Sequence, residues 1–143
     1  MSKRWYVIAN AAQARVYFTD DLVDRLTLKE TLQHPESRLK GSDINADRAG
    51  SFQSGGAHGG FSERTSPKAV EADKFAREIS EYLDLARSRN DYDDLIIASS
   101  PPFHGLLNKH LNKQVQRQIS RHIEKDLTAV ADHEIDKTVR SYL

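Results

Sequence analysis

The sequence predicts an α/β domain in which a mixed β-sheet of about five strands is flanked by helices. Three observations predict this class. Residues 5–33 are rich in β-branched and aromatic side chains and are broken by short polar turns. Residues 67–88 place apolar side chains on one face at the helical period of about 3.6. Residues 95–98 are wholly apolar and lead through a Ser/Pro turn into a second amphipathic segment, as a buried strand followed by a helix would.

The first three strands are expected to form an antiparallel meander, because the connections between them are short. Residues 5–9 are a compact apolar run, and residues 14–19 follow after a polar turn. Across residues 26–32, leucines alternate with polar side chains, which is the period of a strand with one buried face.

The ends of the helices are marked by capping residues. Ser66 is placed to cap the helix over 67–88, and the proline after it suits the first helical position. Asn112 is predicted to cap a short helix, and Asp132 is predicted to cap the last one. Residues 119–128 fit either a helix or one face of a strand, and the sequence leaves both structures open.

Composition limits the classes of function. The length of 143 residues predicts one domain over residues 1–143. The 21 basic and 21 acidic side chains cancel, and this balance argues against a general nucleic-acid coat. No apolar run approaches the roughly 18 residues needed to cross a bilayer, and the N-terminal apolar stretch is too short for a signal peptide. We therefore expect a cytoplasmic protein without membrane insertion. The absence of cysteine and the scattered histidines give no metal site, and no cofactor is expected.

Residues 34–66 differ from the rest of the chain. They hold six of the seven glycines, few apolar residues and no helical or strand period. A structureless segment of this length inside a domain is commonly functional or disordered. The sequence therefore predicts a long Gly-rich loop between the third strand and the first long helix.

Five sequence motifs, in this order along the chain, resemble the bacterial host attachment protein family, which is also described as required for attachment to host cells. They are HPESRL at 34–39, DRAGSF at 47–52, EADKFARE at 71–78, SSPPFHGLL at 99–107 and EKDLT at 124–128. The resemblance covers nearly the whole chain.

That family is similar in fold to the middle domain of archaeal and eukaryotic peptide-chain release factors. The similarity implies an RNase-H-like or ribosomal-protein-like α/β fold. In the release factors the corresponding loop carries a Gly-Gly-Gln tip that enters the peptidyl-transferase centre. Here Gly55 and Gly56 are present, but Ala57 stands in the place of the glutamine and is followed by His58.

The resemblance and the composition of the loop together select candidate binding residues. Consecutive glycines let backbone N–H groups approach an anion, and arginines contact phosphates. The candidate RNA- or ligand-binding residues are Arg38, Arg48, Gly55, Gly56, His58, Gly59, Gly60 and Arg64. The alternative is a surface loop without a ligand, in which Arg38 and Arg48 pair with Glu36 and Asp47.

Two catalytic ideas are weaker. His58 is the one candidate for a general base or a water-positioning group in the loop, because an unperturbed histidine titrates near pH ~6.5. Ser99 and Ser100 follow a predicted central strand, where α/β sheets often bind ligands. No Gly-x-Ser-x-Gly elbow surrounds these serines, so a turn and a helix cap are the expected roles. The catalytic residues are otherwise unknown.

Three functions follow as hypotheses. The first is a translation-associated binding protein whose Gly-rich loop contacts ribosomal RNA or tRNA. The second is a non-catalytic interaction module with an indirect role in attachment to host cells. The third is a hydrolase of peptidyl-tRNA or another ester, which requires a positioned water and stabilisation of an oxyanion. The sequence gives neither the protein partners nor the oligomeric state.

Overall fold

The computed structural model describes residues 3–19, 25–35 and 66–143. The strands are β1 (Arg4–Ala9), β2 (Gln13–Thr19), β3 (Leu26–Gln33), β4 (Asp94–Ala98) and β5 (Ile119–Ile123). The helices are α1 (Pro67–Ser88), α2 (Pro101–His110), α3 (Lys113–Gln118) and α4 (Asp132–Arg140). The long segment 36–65 lies outside the described residues.

One mixed sheet organises these elements in the order β3-β2-β1-β4-β5. The first three strands pair antiparallel as the predicted meander, and β4 and β5 join β1 in parallel. Register is set at the centre, where Val7 lies opposite Val16 on one side and Ile97 on the other. The predicted α/β class with a mixed five-stranded sheet is confirmed.

The sheet buries apolar side chains on both faces. On one face the sheet packs against α1, α2 and α3 through the larger core cluster, which includes Val7, Val16, Phe75, Leu107 and Val115. On the other face α4 covers a smaller cluster that includes Tyr6, Ile8, Ile96, Ile135 and Val139. The alternation of Tyr6, Val7 and Ile8 between the two clusters follows from the period of two residues in a strand.

The strand β4 confirms the expectation of a central strand buried on both faces. Leu95 and Ile97 belong to the larger cluster, and Ile96 and Ala98 belong to the smaller one. None of these four side chains is more than 3% exposed. A strand that lies between two parallel neighbours and two helical layers is buried on both faces, and it therefore has a continuous apolar sequence.

Helix α1 begins and ends as its sequence predicts. The Ser66 hydroxyl accepts a hydrogen bond from the Ala69 amide at 3.0 Å, and Pro67 occupies the first turn. Phe75, Ile79 and Leu83 are buried on the face toward the sheet. Asn112 likewise caps α3, through a bond from the Val115 amide at 2.9 Å.

Near the C-terminus the structure resolves one prediction that the sequence left open and corrects another. Residues 119–123 form the strand β5, and residues 124–130 form the connection to α4. The prediction that Asp132 caps the last helix is wrong, because Ala131 is the N-cap and makes no side-chain cap bond. The Asp132 carboxylate instead accepts hydrogen bonds from Arg15 and Tyr17 of the neighbouring strand β2.

Candidate functional site at the carboxyl ends of the strands

All eight binding residues predicted from the sequence lie in the segment 36–65, outside the described residues. They are Arg38, Arg48, Gly55, Gly56, His58, Gly59, Gly60 and Arg64. Their roles therefore stay predictions. The structure does show where both ends of this segment are attached.

The start of the segment is fixed through His34, directly after β3. The His34 amide donates to the Ala12 carbonyl at 2.8 Å, and its Nε2 lies 2.8 Å from Oε1 of Glu71. Its ring also stacks on Phe75, with 5.4 Å between the ring centroids. Glu71 is buried in the second turn of α1, so these contacts hold the end of β3 against the start of α1.

The end of the segment is fixed by Ser66, the cap of α1. Since β3 runs in the same direction as β1, and α1 begins beside the end of β3, residues 35 and 66 lie at one edge of the sheet. The described residues on either side of the segment 36–65 therefore lie at the same edge of the sheet.

The same edge collects the carboxyl ends of the parallel strands. Asn10 follows β1, Ser99 follows β4 and Glu124 follows β5. The chain leaves β1 toward β2 and leaves β4 toward β5, so the direction of winding reverses between β1 and β4. Open α/β sheets bind ligands at such a switch point. We call this the carboxyl edge.

Asn10 shapes one side of the carboxyl edge. Its Oδ1 accepts from the amides of Ala12 and Gln13, at 2.8 and 2.9 Å, which closes the turn between β1 and β2. Its Nδ2 donates to Oγ1 of Thr128 at 2.9 Å. Asn10 thus links that turn to the connection after β5. These hydrogen bonds give Asn10 a structural role.

Ser99 and His122 meet on the other side of the switch point. Ser99 is fully buried, and its Oγ lies 3.3 Å from Nε2 of His122. The same Nε2 lies 3.1 Å from the Ser99 carbonyl oxygen. The ring tautomer decides the direction of these contacts: with its hydrogen on Nε2 the ring donates to the carbonyl, and with its hydrogen on Nδ1 it accepts from the hydroxyl. In either tautomer His122 holds β5 against the end of β4.

His104 stacks on His122 in a close ring pair. The centroids are 3.4 Å apart and the planes differ by 12°. Burial, and secondly the neighbouring His122, lower the pKa of His104, so the ring is held neutral. The sequence gives no sign of this pair, because it joins residues of α2 and β5 through tertiary packing.

Ser100 has the role of a helix cap, as expected. Its hydroxyl accepts from the Phe103 amide at 3.5 Å at the start of α2. Helix α1 begins at the same edge, so the amino ends of both helices face it. The first turns of helices carry partial positive charge and free N–H groups, which favour anions at this edge.

On the face of the sheet that α4 covers, Arg15 and Tyr17 of β2 hold the start of α4, and we call this pair the arginine clamp. The Arg15 guanidinium donates to Oδ1 of Asp132 at 2.8 Å and to the carbonyls of Thr128 and Val130 at 2.9 and 2.8 Å. The hydroxyl of Tyr17 donates to the same carboxylate. These two donors hold the pKa of Asp132 below its usual range, and burial raises the pKa of Tyr17. The clamp fixes the connection from β5 to α4.

Two further findings concern the described ranges 3–19, 25–35 and 66–143. No three histidine, aspartate or glutamate side chains there lie close enough together to hold a metal ion. No helix in those ranges combines the length and the apolar character required to cross a bilayer.

The sequence was compared with known proteins. A sequence model of the family described as "Protein required for attachment to host cells" matches residues 5–139, which is most of the chain. No curated protein matches the sequence. The match runs from the second residue of β1 to the last residue but one of α4, and it includes His34 and Ser66 on either side of the segment 36–65.

Proposed function

Since the chain belongs to the family of proteins required for attachment to host cells, we propose that it is a translation-associated binding protein of that family, which contacts ribosomal RNA or tRNA. The segment 36–65 makes the contact. One observation carries the proposal: both ends of this Gly-rich segment are fixed at the carboxyl edge, beside the switch point of the sheet. The site of action is then the cytoplasm.

The chemistry of the segment suits a phosphate backbone. Arg38, Lys40, Arg48 and Arg64 supply cations, and the paired glycines at 55–56 and 59–60 allow backbone N–H groups to approach a ligand closely. The amino ends of α1 and α2 add positive potential at the same edge. Phosphate contacts of this kind give most of the affinity for RNA without reading its sequence.

The release-factor resemblance supports the same proposal at the level of the fold. A mixed five-stranded sheet with helices on both faces agrees with an RNase-H-like or release-factor-like domain. The tip reads Gly55-Gly56-Ala57-His58, without the glutamine of the release factors. Binding is therefore proposed rather than peptide release, and His58 is a further RNA contact.

Ribosome co-sedimentation from cell lysate tests the proposal. The intact chain should pellet with ribosomes at low salt, and a variant with Gly55→Ala and Gly56→Ala should remain in the supernatant. Gly105→Ala is the matched control, because a Cβ at this helical position meets no atom within 4 Å. This control should pellet like the intact chain.

Three results would overturn the proposal. The first is that the intact chain stays in the supernatant at low salt, and the second is that the double variant pellets as well as the control. Recovery of the native protein from the cell surface, with none bound to ribosomes, would favour a direct role in attachment instead.

A further inference from the structure

A cleft of about 200 Å³ opens between the last turns of α1 and the strand β3, on the face of the sheet that α1 covers. A second cavity of about 180 Å³ adjoins it and shares the walls Trp5, Lys29 and Asp91. The walls of the first cleft also include Glu30, Tyr82, Leu85 and Arg89. We call this first cleft the aromatic cleft. It lies at the opposite end of α1 from Ser66, and none of these walls belongs to the segment 36–65.

The inner side of the aromatic cleft is aromatic and apolar. The Trp5 ring is 3% exposed and stacks beside Tyr82, with 6.1 Å between the ring centroids. Tyr82 is half-buried and Leu85 is 51% exposed, so both side chains present apolar surface to the cleft. A ligand ring that packs on this surface would remove it from water, which is the main favourable contribution to binding in such a place.

A bulge in β3 brings two charged side chains to the same cleft. Glu30 lies opposite Val16, and Leu28 lies opposite the next residue of β2, so Lys29 is an extra residue in β3. Neighbouring side chains of a regular strand point to opposite faces, whereas Lys29 and Glu30 both line the cleft. Bulges redirect side chains in this way and are frequent beside active sites.

The turn after α1 supplies two further charged side chains. Asn90 takes a left-handed conformation with φ of 61°, which reverses the chain directly after the helix. The Asp91 amide donates to the Ala86 carbonyl at 3.0 Å, so Asp91 is held against the last turn of α1. Arg89 begins this turn, and the side chains of Arg89 and Asp91 both line the cleft.

The four charged groups around the cleft are not paired with one another. No ion pair and no side-chain hydrogen bond joins Lys29, Glu30, Arg89 or Asp91 to any residue within the ranges 3–19, 25–35 and 66–143. The Lys29 ammonium instead lies 5.4 Å above the centre of the Trp5 ring. Two cations and two carboxylates therefore surround one aromatic cavity and are available to a ligand.

The mixture of charges selects the class of ligand. Burial raises the pKa of Tyr82, and the carboxylates of Glu30 and Asp91 raise it further, which places both carboxylates near the phenol. They suit a ligand ammonium group, while Lys29 and Arg89 suit a ligand carboxylate. A ligand that carries one charge would meet two like charges as well as two opposite ones. The volume is below the roughly 300–1,000 Å³ of pockets for drug-sized molecules, so the ligand is small.

We propose that the aromatic cleft binds a small aromatic zwitterion, the chemical class to which free aromatic α-amino acids belong. The ligand ring packs on Tyr82 and Leu85, its ammonium group faces the two carboxylates, and its carboxylate faces Lys29 and Arg89. This inference does not rest on the proposed function, because the cleft and the segment 36–65 share no residue.

Titration with L-phenylalanine, followed by tryptophan emission and by isothermal titration calorimetry, tests the proposal. Trp5 is the one tryptophan of the chain, so its emission reports on this cleft. Phenethylamine lacks the carboxylate and 3-phenylpropanoate lacks the ammonium group, so these two analogues test each charge on the intact chain. L-phenylalanine should bind saturably, and each analogue should bind about tenfold more weakly, because a hydrogen bond between charged groups is lost.

Charge-removing variants locate the site. Glu30→Gln and Arg89→Gln should each weaken the binding of L-phenylalanine by about tenfold. Glu30→Gln should not weaken the binding of 3-phenylpropanoate, which has no ammonium group to lose a partner. Glu78→Gln and Arg77→Gln remove the same charges at exposed positions of α1 outside the cleft, and these matched controls should bind like the intact chain.

Three results would overturn this inference. The first is that L-phenylalanine does not bind saturably to the intact chain. The second is that either analogue binds as tightly as L-phenylalanine, and the third is that the cleft variants bind like their matched controls. The cleft variants should still pellet with ribosomes like the intact chain, so failure of this inference and failure of the proposed function are distinguished.

Discussion

Arg15 shows how much one buried side chain can hold together. It is 8% exposed and donates to one carboxylate and three backbone carbonyls of the connection from β5 to α4. The five donors of a guanidinium make this possible in a fixed planar fork, whereas a lysine ammonium carries three donors at one point. The three carbonyls would lose this donor if the side chain were truncated.

We expect Arg15→Ala to lower the free energy of unfolding by about 3 kcal/mol, because the half-buried carbonyls of Thr128 and Val130 and the Asp132 carboxylate lose their charged donor. Arg15→Lys should recover less than half of that loss. Equilibrium urea unfolding measures both variants against Arg77→Gln, an exposed control expected to change stability by less than about 0.5 kcal/mol. An Arg15→Ala chain as stable as the control would contradict a clamp at this position.

The stacked pair of His104 and His122 makes stability depend on pH. Burial lowers the pKa of His104 in the folded state, while the unfolded chain keeps a value near ~6.5. The unfolded chain therefore binds more protons below that pH, and stability is lost as the pH falls. Glu124 opposes the shift but is the smaller influence.

The free energy of unfolding should fall between about pH 7.5 and pH 5.5, and His104→Phe should reduce that fall, because phenylalanine keeps a stacked ring without a titrating nitrogen. Urea unfolding at the two pH values measures the difference. An equal fall in both chains would show that His104 is not its source.

At the scale of the element, α4 begins without a side-chain cap. Ala131 occupies the N-cap with extended backbone, and Asp132 in the first turn is engaged by Arg15 and Tyr17. Serine at an N-cap supplies the missing acceptor. A side-chain cap at residue 131 would therefore stabilise α4.

We expect Ala131→Ser to raise the free energy of unfolding by about 0.5–1 kcal/mol. Ala129→Ser, an exposed position in the same connection, serves as the matched control and should change little. Chemical unfolding of both variants tests this. A stabilisation shared by the control would assign the effect to something other than capping.

The elements show where sequence reasoning succeeds. Ser66 and the buried period of α1 predicted that helix from its first residue, because its cap and its apolar face agree locally. Residues 119–123 were ambiguous, because the isoleucines fit a helix as well as a strand, and pairing with β4 decides for the strand. The cap predicted at Asp132 failed because Arg15, 117 residues away in sequence, competes for its carboxylate.

The site residues chosen from the sequence stay predictions, because they lie outside the described residues. Glycine content and the family resemblance marked residues 34–66 without the structure, and the match to the family over residues 5–139 confirms the resemblance. The carboxyl edge itself depends on strand direction and order, which the sequence left open.

At the scale of the whole molecule, the order of the strands brings the carboxyl ends of β1, β3, β4 and β5 to one edge of the sheet. The residues on either side of the segment 36–65 lie at this same carboxyl edge, because His34 after β3 contacts Glu71 of α1 and Ser66 caps that helix. Helix α2 begins there as well, after β4.

Ultraviolet crosslinking of the protein to RNA in lysate, followed by digestion and mass spectrometry of the crosslinked peptides, tests the central claim most directly. The account predicts that RNA-linked peptides come from residues 36–65, where Phe52 and Phe61 flank the glycine pairs. Crosslinks confined to other parts of the chain, or no RNA adduct at all, would contradict it.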